Sequence, residues 1–197
     1  MESGERSRPE VKRQKLIIEI GSSGQPAFKL GDRRIKKNEH YVTVNKDMKR
    51  EMERGREVSV HEYEKKHFDR KNFSPIVADG TQLLFPDGSV DEMIFNNVFG
   101  DGNSRYPRFY LQEAARVLRK DGTIIIAETL TPESSLLVKW DNENHILSIN
   151  PDYYEQFGLK VKRLTTDLDK IKLTYNTHGI RKAKNLCPAF QLILKKI

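Results

Sequence analysis

The chain has 197 residues, 37% hydrophobic and 32% charged, with 35 basic against 28 acidic residues and a net charge of +7. This composition excludes a wholly disordered chain, the short apolar runs exclude a membrane-spanning helix, and the single Cys187 excludes an intrachain disulfide. The N-terminus lacks an apolar signal segment, so we expect a cytoplasmic protein without membrane contact, while the basic excess leaves RNA as an alternative partner.

Residues 1–15 are polar and densely charged, which predicts a flexible basic arm in front of a single domain spanning residues 16–197. From residue 16 onward, short apolar runs alternate with helix-like segments, a pattern typical of an α/β sheet with crossover helices. Strands are predicted at residues 16–20, 41–45, 74–79, 90–95, 123–127, 159–164 and 190–194. Helices are predicted at residues 46–68, 107–120 and 151–157, the first lying at the surface and divided near Gly55.

Four residues end or directly follow predicted strands: Gly21, Asn45, Asp79 and Asn96. In a parallel sheet with right-handed crossovers, the carboxyl ends of the strands line a ligand crevice, so these residues are expected to converge. The loop after Gly21 has neither the glycine spacing of a dinucleotide fingerprint nor the Gly-Lys-Ser/Thr of a P-loop, which disfavours both of those phosphate sites.

Three segments together resemble the class I S-adenosylmethionine-dependent methyltransferases. They are the first strand with its glycine loop at residues 16–24, the sequence VADGTQLLFPDGSVD at residues 77–91, and EAARVLRKDGTIII at residues 113–126. The resemblance implies an α/β, Rossmann-like methyltransferase fold, with a doubly wound, mainly parallel seven-stranded sheet whose last strand is antiparallel. It also implies an enzyme that uses S-adenosylmethionine as its cofactor.

The same resemblance assigns cofactor roles to the strand ends. It places Gly21 beneath the methionine part with Glu19 nearby, and Asn96 near the transferred methyl group. Asp79 is expected to accept the adenine amino hydrogens, since a carboxylate accepts from an exocyclic amine, while a backbone amide of the next two residues faces the ring. The full predicted cofactor set is Glu19, Gly21, Ser22, Ser23, Gly24, Asn45, Lys46, Asp79, Gly80, Thr81 and Asn96.

Three positions depart from the usual pattern of this family. Ser23 and Gln25 replace glycines of the first loop, and Asn45 stands where an acidic residue usually holds the ribose hydroxyls. An amide accepts a hydroxyl hydrogen without the charge assistance of a carboxylate, so weaker cofactor binding is expected. A catalytically degenerate binding protein with this fold is therefore an alternative to the enzyme.

The methyl acceptor is less well defined by the sequence. A small-molecule substrate is favoured, and an RNA acceptor bound through the basic surface is the alternative. The residues considered for acid–base chemistry or substrate contact are Asp101, Tyr106, His145 and Tyr153. No metal site is expected, because the five histidines show no ligand spacing with the cysteine.

Overall fold

The structure of the chain is a computed structural model. It describes residues 13–22, 26, 34–46, 49–53, 56–68, 70–96, 98–99, 106–129, 136–141, 143–144, 146–166 and 189–197. Most of the predicted arm lies outside these residues, as do four of the predicted site residues: Ser23, Gly24, Asp101 and His145.

A seven-stranded sheet organises the fold, with the strand order β10-β11-β7-β6-β1-β2-β5. Two further sheets have two strands each, β3-β4 and β8-β9. The strands are β1 (Lys15–Ile20), β2 (Glu39–Asn45), β3 (Lys49–Glu53), β4 (Arg56–Ser59), β5 (Phe73–Val77), β6 (Val90–Asn96), β7 (Leu118–Thr129), β8 (Lys139–Asp141), β9 (Ile146–Ser148), β10 (Leu159–Thr165) and β11 (Ala189–Lys196). The helices are α1 (Val60–His67), α2 (Pro107–Val117) and α3 (Pro151–Glu155).

The pairing directions confirm the predicted fold class. β1 pairs in parallel with both β2 and β6, and the parallel pairing continues outward from β2 to β5 and from β6 to β7. β11 runs antiparallel to β7 and β10, between which it lies. The sheet is therefore mainly parallel with an antiparallel last strand, as the resemblance implied.

Each face of the sheet carries its own apolar core, because successive residues of a strand face opposite sides. Ile18 and Ile20 belong to the larger core, which also contains the apolar side of α2. Ile17, between them, belongs to a smaller core on the other face, where Phe68 lies just beyond the end of α1. α1 and α2 therefore pack against opposite faces of the sheet.

The prediction of a surface helix over residues 46–68 is wrong for its first half. Residues of β3 and β4 form an antiparallel hairpin, and the helix α1 begins only at Val60. The helical spacing of Met48 and Met52 suggested a helix from local sequence alone. In the structure, the backbone groups of this segment are satisfied instead by hydrogen bonds between β3 and β4. Gly55, where the sequence predicted a division of the segment, lies outside the described residues.

The helix predicted at residues 107–120 ends three residues earlier, at Val117. Leu118 has an extended backbone and pairs with Val90 of β6, so the fifth strand of the central sheet starts there rather than at residue 123. The Lys196 ammonium donates to the carbonyl oxygens of Ala115 and Leu118 at 2.7 and 2.6 Å, which satisfies acceptors at the end of the helix. Within the part of the chain that the structure describes, no helix is long and apolar enough to cross a membrane.

Candidate functional site

The carboxyl ends of three neighbouring strands meet at one edge of the sheet. The Gly21 amide, just after β1, donates to the Val44 carbonyl oxygen at 2.9 Å, and the Ala78 amide, just after β5, donates to the Asn45 carbonyl oxygen at 3.0 Å. A Cβ placed on Gly80 would lie 2.8 Å from Cγ2 of Ile20, so the loop after β5 also touches the end of β1. The predicted convergence of these strand ends is present.

Gly21 adopts a backbone conformation that favours glycine. Its φ is +73°, and an added Cβ would lie 3.0 Å from Cγ2 of Val98 in the loop after β6. A larger residue would therefore be strained and would also push against that loop. The glycine therefore allows the end of β1 and the loop after β6 to lie close together.

Asp79 offers a negatively charged oxygen at this edge. Its Oδ1 accepts hydrogen bonds from the backbone amide and the hydroxyl of Thr81, at 2.8 and 2.7 Å, and the Lys46 ammonium lies 3.6 Å from Oδ2. These contacts, led by the Thr81 amide, lower the pKa of Asp79 below its ordinary value. The side chain is 46% exposed, so an ionised carboxylate is accessible. The Thr81 amide, one of the two amides expected to face an adenine ring, is already used by Asp79.

Asn96, at the end of β6, is buried without a visible hydrogen-bond partner. The residue is 2% exposed, and neither its amide nitrogen nor its amide oxygen meets a donor or acceptor among the described residues. A buried amide left without partners is costly, and such groups are found where a ligand completes them. Asn96 is thus a feature that a polar ligand at this edge would satisfy.

The loop that follows Asn96 is held by Glu128 at the end of β7. One carboxylate oxygen of Glu128, which is 2% exposed, accepts from the amides of both Val98 and Phe99. The contact fixes the loop whose Val98 side chain packs against Gly21. Glu128 therefore has a structural role in the site, because it fixes the conformation of the loop after β6.

Asn45 and Ser22 lie in a buried polar network on the ribose side of the predicted site. The Asn45 amide donates to the Ser22 hydroxyl oxygen at 3.0 Å and to Oε2 of Glu64 at 3.3 Å. Glu64 also accepts from the hydroxyl of Ser22 and, at 2.5 Å, from that of Thr43. Glu64 was absent from the predicted set, although it occupies the inward stripe of α1 between Val60 and Phe68, at i, i+4 and i+8.

Glu19 lies within β1, before the strand end at Ile20. It is fully buried, and its Oε2 accepts a hydrogen bond from the Tyr41 hydroxyl at 2.7 Å. Its carboxylate therefore contacts the interior beside β2.

The two sequence motifs that carried the family resemblance interlock in space. Glu113 of α2 accepts from the Leu83 amide at 2.6 Å, and Arg116 donates to the carbonyl oxygens of Leu83 and Phe85 at 2.9 and 3.1 Å. Arg116 also holds both oxygens of Glu113, at 2.8 and 2.7 Å, and contacts Asp87. The guanidinium lowers the pKa of Glu113 below its ordinary value. Helix α2 thereby fixes the loop that follows Asp79.

Tyr106 and Tyr153, two of the residues considered for substrate contact, line one groove between α2 and α3. The groove has a volume of about 620 Å³. Tyr106 is exposed at the start of α2 and Tyr153 is half-buried, with burial raising the pKa of the Tyr153 hydroxyl. The Arg108 guanidinium stacks at 4.6 Å over Phe109 in the wall of this groove. The remaining lining residues are Pro107, Gln112, Leu136, Gln156 and Phe157.

The residues at the strand ends fit the sulfonium nucleoside implied by the resemblance. The exposed Asp79 carboxylate suits an exocyclic amine, the glycine backbone permits close approach, and the Asn96 amide can hydrogen-bond the amino-acid part. Among the described residues, no group of three or more His, Cys, Asp or Glu side chains could hold a metal ion.

Comparison with known proteins agrees with this geometry. The sequence profile of the family described as "Methyltransferase domain" matches residues 19–126, more than half of the chain. No curated protein sequence matches.

Solved structures with the same fold include three methyltransferases or candidate methyltransferases. A candidate enzyme from Haloferax volcanii, in a complex with the Trm112 methyltransferase activator, is 16% identical with a TM-score of 0.59, covering 94% of this chain and 84% of that one. A candidate sarcosine dimethylglycine methyltransferase from Galdieria sulphuraria is 13% identical with a TM-score of 0.58, covering 93% and 79%. An S-adenosylmethionine-dependent methyltransferase from Aquifex aeolicus is 14% identical with a TM-score of 0.54, covering 94% and 84%.

At these identities the structural matches establish the fold, and the family profile establishes the relationship. The chain therefore belongs to the methyltransferase domain family, as an enzyme whose cofactor is S-adenosylmethionine.

Proposed function

We propose that this chain transfers the methyl group of S-adenosylmethionine to a small-molecule acceptor, with the cofactor held at the carboxyl ends of β1, β2, β5 and β6. The observation that carries the proposal is the buried Asn96 amide, which lacks a partner among the described residues at the edge where Gly21 and Asp79 also lie. A polar ligand at this position satisfies the amide and meets an exposed carboxylate.

Each residue at the edge has a separate part in holding the cofactor. Asp79 accepts the adenine amino hydrogens through Oδ2, because its Oδ1 is engaged by Thr81. Gly21 lets the backbone approach the methionine part, and Asn96 hydrogen-bonds the same part from beneath. Asn45 and the loop at Lys46 face the ribose.

The activated sulfonium supplies the reactivity of methyl transfer when the cofactor is bound, so the protein needs no fixed catalytic triad. The chain's own residues align the acceptor and exclude water from the reacting groups. The residues at the strand ends, which are suited to binding, are consistent with this mechanism. A general base is needed only where the acceptor carries a proton of low acidity, and Tyr106 and Tyr153 remain the described candidates for contact with it.

The groove between α2 and α3 supports a small acceptor with an apolar or aromatic body. Its walls include Tyr106, Phe109, Leu136, Tyr153 and Phe157, and its volume of about 620 Å³ is in the range of small-molecule sites. The groove opens beside the start of α2, where Tyr106 and Pro107 line it. An RNA acceptor bound through the basic surface remains the alternative, although Arg13, Lys15 and Arg119 are paired with acidic side chains.

A calorimetric titration with S-adenosylhomocysteine, the demethylated cofactor, tests the proposed site. Asp79→Ala is expected to weaken binding about 10- to 100-fold, the loss of a hydrogen bond to a charged group, while the domain stays folded. Glu143→Ala, at an exposed acid of the turn between β8 and β9, is the matched control and should bind as the wild type does. Equal affinity of folded Asp79→Ala and wild type would remove the adenine assignment.

Turnover separates the enzyme from the degenerate binding protein. The chain is incubated with S-adenosylmethionine and fractionated small-molecule extracts, and S-adenosylhomocysteine is quantified by mass spectrometry. Extract-dependent product that disappears with Asp79→Ala supports the enzyme. Tight cofactor binding without product in any fraction, with or without added RNA, would favour the binding protein.

A further inference from the structure

The strongest unexplained feature outside the predicted set is the buried carboxylate of Glu64. The residue is 0% exposed, although it lies in a helix whose other acidic residue, Glu62, faces solvent. Burying a carboxylate is unfavourable unless several donors replace its hydration. Glu64 has such donors from β2 and from the loop after β1: the hydroxyls of Thr43 and Ser22 and the amide of Asn45.

The fold delivers this carboxylate to one particular place. α1 follows the β3-β4 hairpin and packs beside β5, with Val60 and Phe68 buried on the side that carries Glu64. A hydrocarbon at this position would fill the same space without a desolvation cost, so packing alone does not account for a glutamate. The carboxylate instead fixes the orientation of the side chains that donate hydrogen bonds to it, those of Ser22, Thr43 and Asn45.

Two of those donors belong to the proposed cofactor site. Ser22 directly follows Gly21, and Asn45 ends β2 next to the loop of Lys46. We propose that Glu64 is the positioning residue of the ribose subsite. It holds Ser22 and Asn45 so that the side-chain oxygen of Asn45, at the end of β2, accepts hydrogen bonds from the ribose hydroxyls. The carboxylate of this subsite is therefore that of Glu64 in α1, whereas the end of β2 carries the amide side chain of Asn45. This inference rests on the cofactor site proposed above.

The test compares two ligands on one variant, Glu64→Gln. A glutamine keeps the size of the side chain but replaces one of the two acceptor oxygens with an NH₂ group, which then faces the hydroxyl of either Ser22 or Thr43 and disturbs the donor–acceptor match. We expect S-adenosylhomocysteine to bind Glu64→Gln about 10- to 100-fold more weakly than the wild type, the effect of one or two charge-assisted hydrogen bonds. Its 2′,3′-dideoxy analogue, which lacks the ribose hydroxyls, should lose less than about threefold, since it never made those contacts.

Glu62→Gln is the matched control, because it removes the same charge from the exposed side of the same helix and should leave both affinities unchanged. If Glu64→Gln does not fold, Ser22→Ala removes one link of the network while keeping the carboxylate, and the same selective loss is expected. Thermal melts of each variant show whether the domain is intact.

The outcomes distinguish the inference from the function on which it rests. Equal weakening of both ligands, or wild-type affinity in folded Glu64→Gln and Ser22→Ala, would overturn the positioning role while leaving the cofactor site standing. A wild-type protein that binds neither ligand would overturn the cofactor site and the role of Glu64 together. Selective loss for the ligand that carries the hydroxyls supports both.

Discussion

Replacing Arg116 by lysine isolates the contact between α2 and the loop after Asp79. The guanidinium donates to Glu113 and to the carbonyl oxygens of Leu83 and Phe85 from separate nitrogens, a geometry that a single ammonium cannot reproduce. The ion pair of Arg116 with Asp87 contributes little to stability, because the Asp87 side chain is 79% exposed to solvent. Two partly buried carbonyls then lose their donor, at about 1 kcal/mol each, so Arg116→Lys should lower the free energy of unfolding by about 2 kcal/mol.

The measurement is urea and thermal unfolding of purified protein followed by circular dichroism. For a chain of this size a loss of about 2 kcal/mol corresponds to a fall in Tm of about 4–8 °C. Arg119→Lys is the control, because Arg119 is 50% exposed and makes one contact with Asp91, worth less than about 1 kcal/mol. Equal losses in the two variants, or no loss in Arg116→Lys, would refute the view that the guanidinium fork locks this loop.

Three further variants probe the edge and its support. Gly21→Ala, strained at φ +73° and pressed against Val98, should cost about 1–2 kcal/mol of stability and abolish measurable titration heat with S-adenosylhomocysteine; wild-type binding would contradict the close approach. Asn96→Val removes a buried amide, so the Tm without ligand should hold or rise while the Tm increase on adding S-adenosylhomocysteine shrinks; an unchanged increase would exclude Asn96 from the cofactor site. The pKa of Glu113 is lowered on folding from 4.5, so its contribution to stability is complete above pH 4.5 and is lost as the pH falls through the lower folded value. Glu113→Gln should therefore flatten the acid limb of urea stability measured between pH 3 and 7, and parallel limbs would contradict the pairing with Arg116.

Local pattern was enough to predict most of the central sheet. Residues 16–20 of β1 and 123–127 of β7 are rich in apolar side chains that pack into the cores on both faces of the sheet, and such runs predict a strand from local sequence alone. Gly21 follows directly after one of these runs, and its position predicted the turn that the positive φ confirms. The helix α2 followed from its apolar stripe, with only its last turn misplaced.

Prediction was weakest where charged residues dominate. Residues 49–59 carry little hydrophobic periodicity, so their sequence does not distinguish a surface helix from the hairpin that β3 and β4 form. The burial of Glu64 was missed for a related reason: a glutamate in a charged helix is ordinarily solvated. The apolar residues four positions to either side carried the signal that it faces inward.

The sequence by itself determined the seven strands of the central sheet and the strand-end residues Gly21, Asn45, Asp79 and Asn96, because each depends on neighbours within a few positions. Only the tertiary structure decided which distant groups meet. It brought Glu64 to Ser22 and Asn45, Arg116 to the loop after Asp79, and Tyr106 to the groove of Tyr153. Those contacts join residues 19 to 47 positions apart, and their energies depend on burial and alignment that exist only once the sheet has formed.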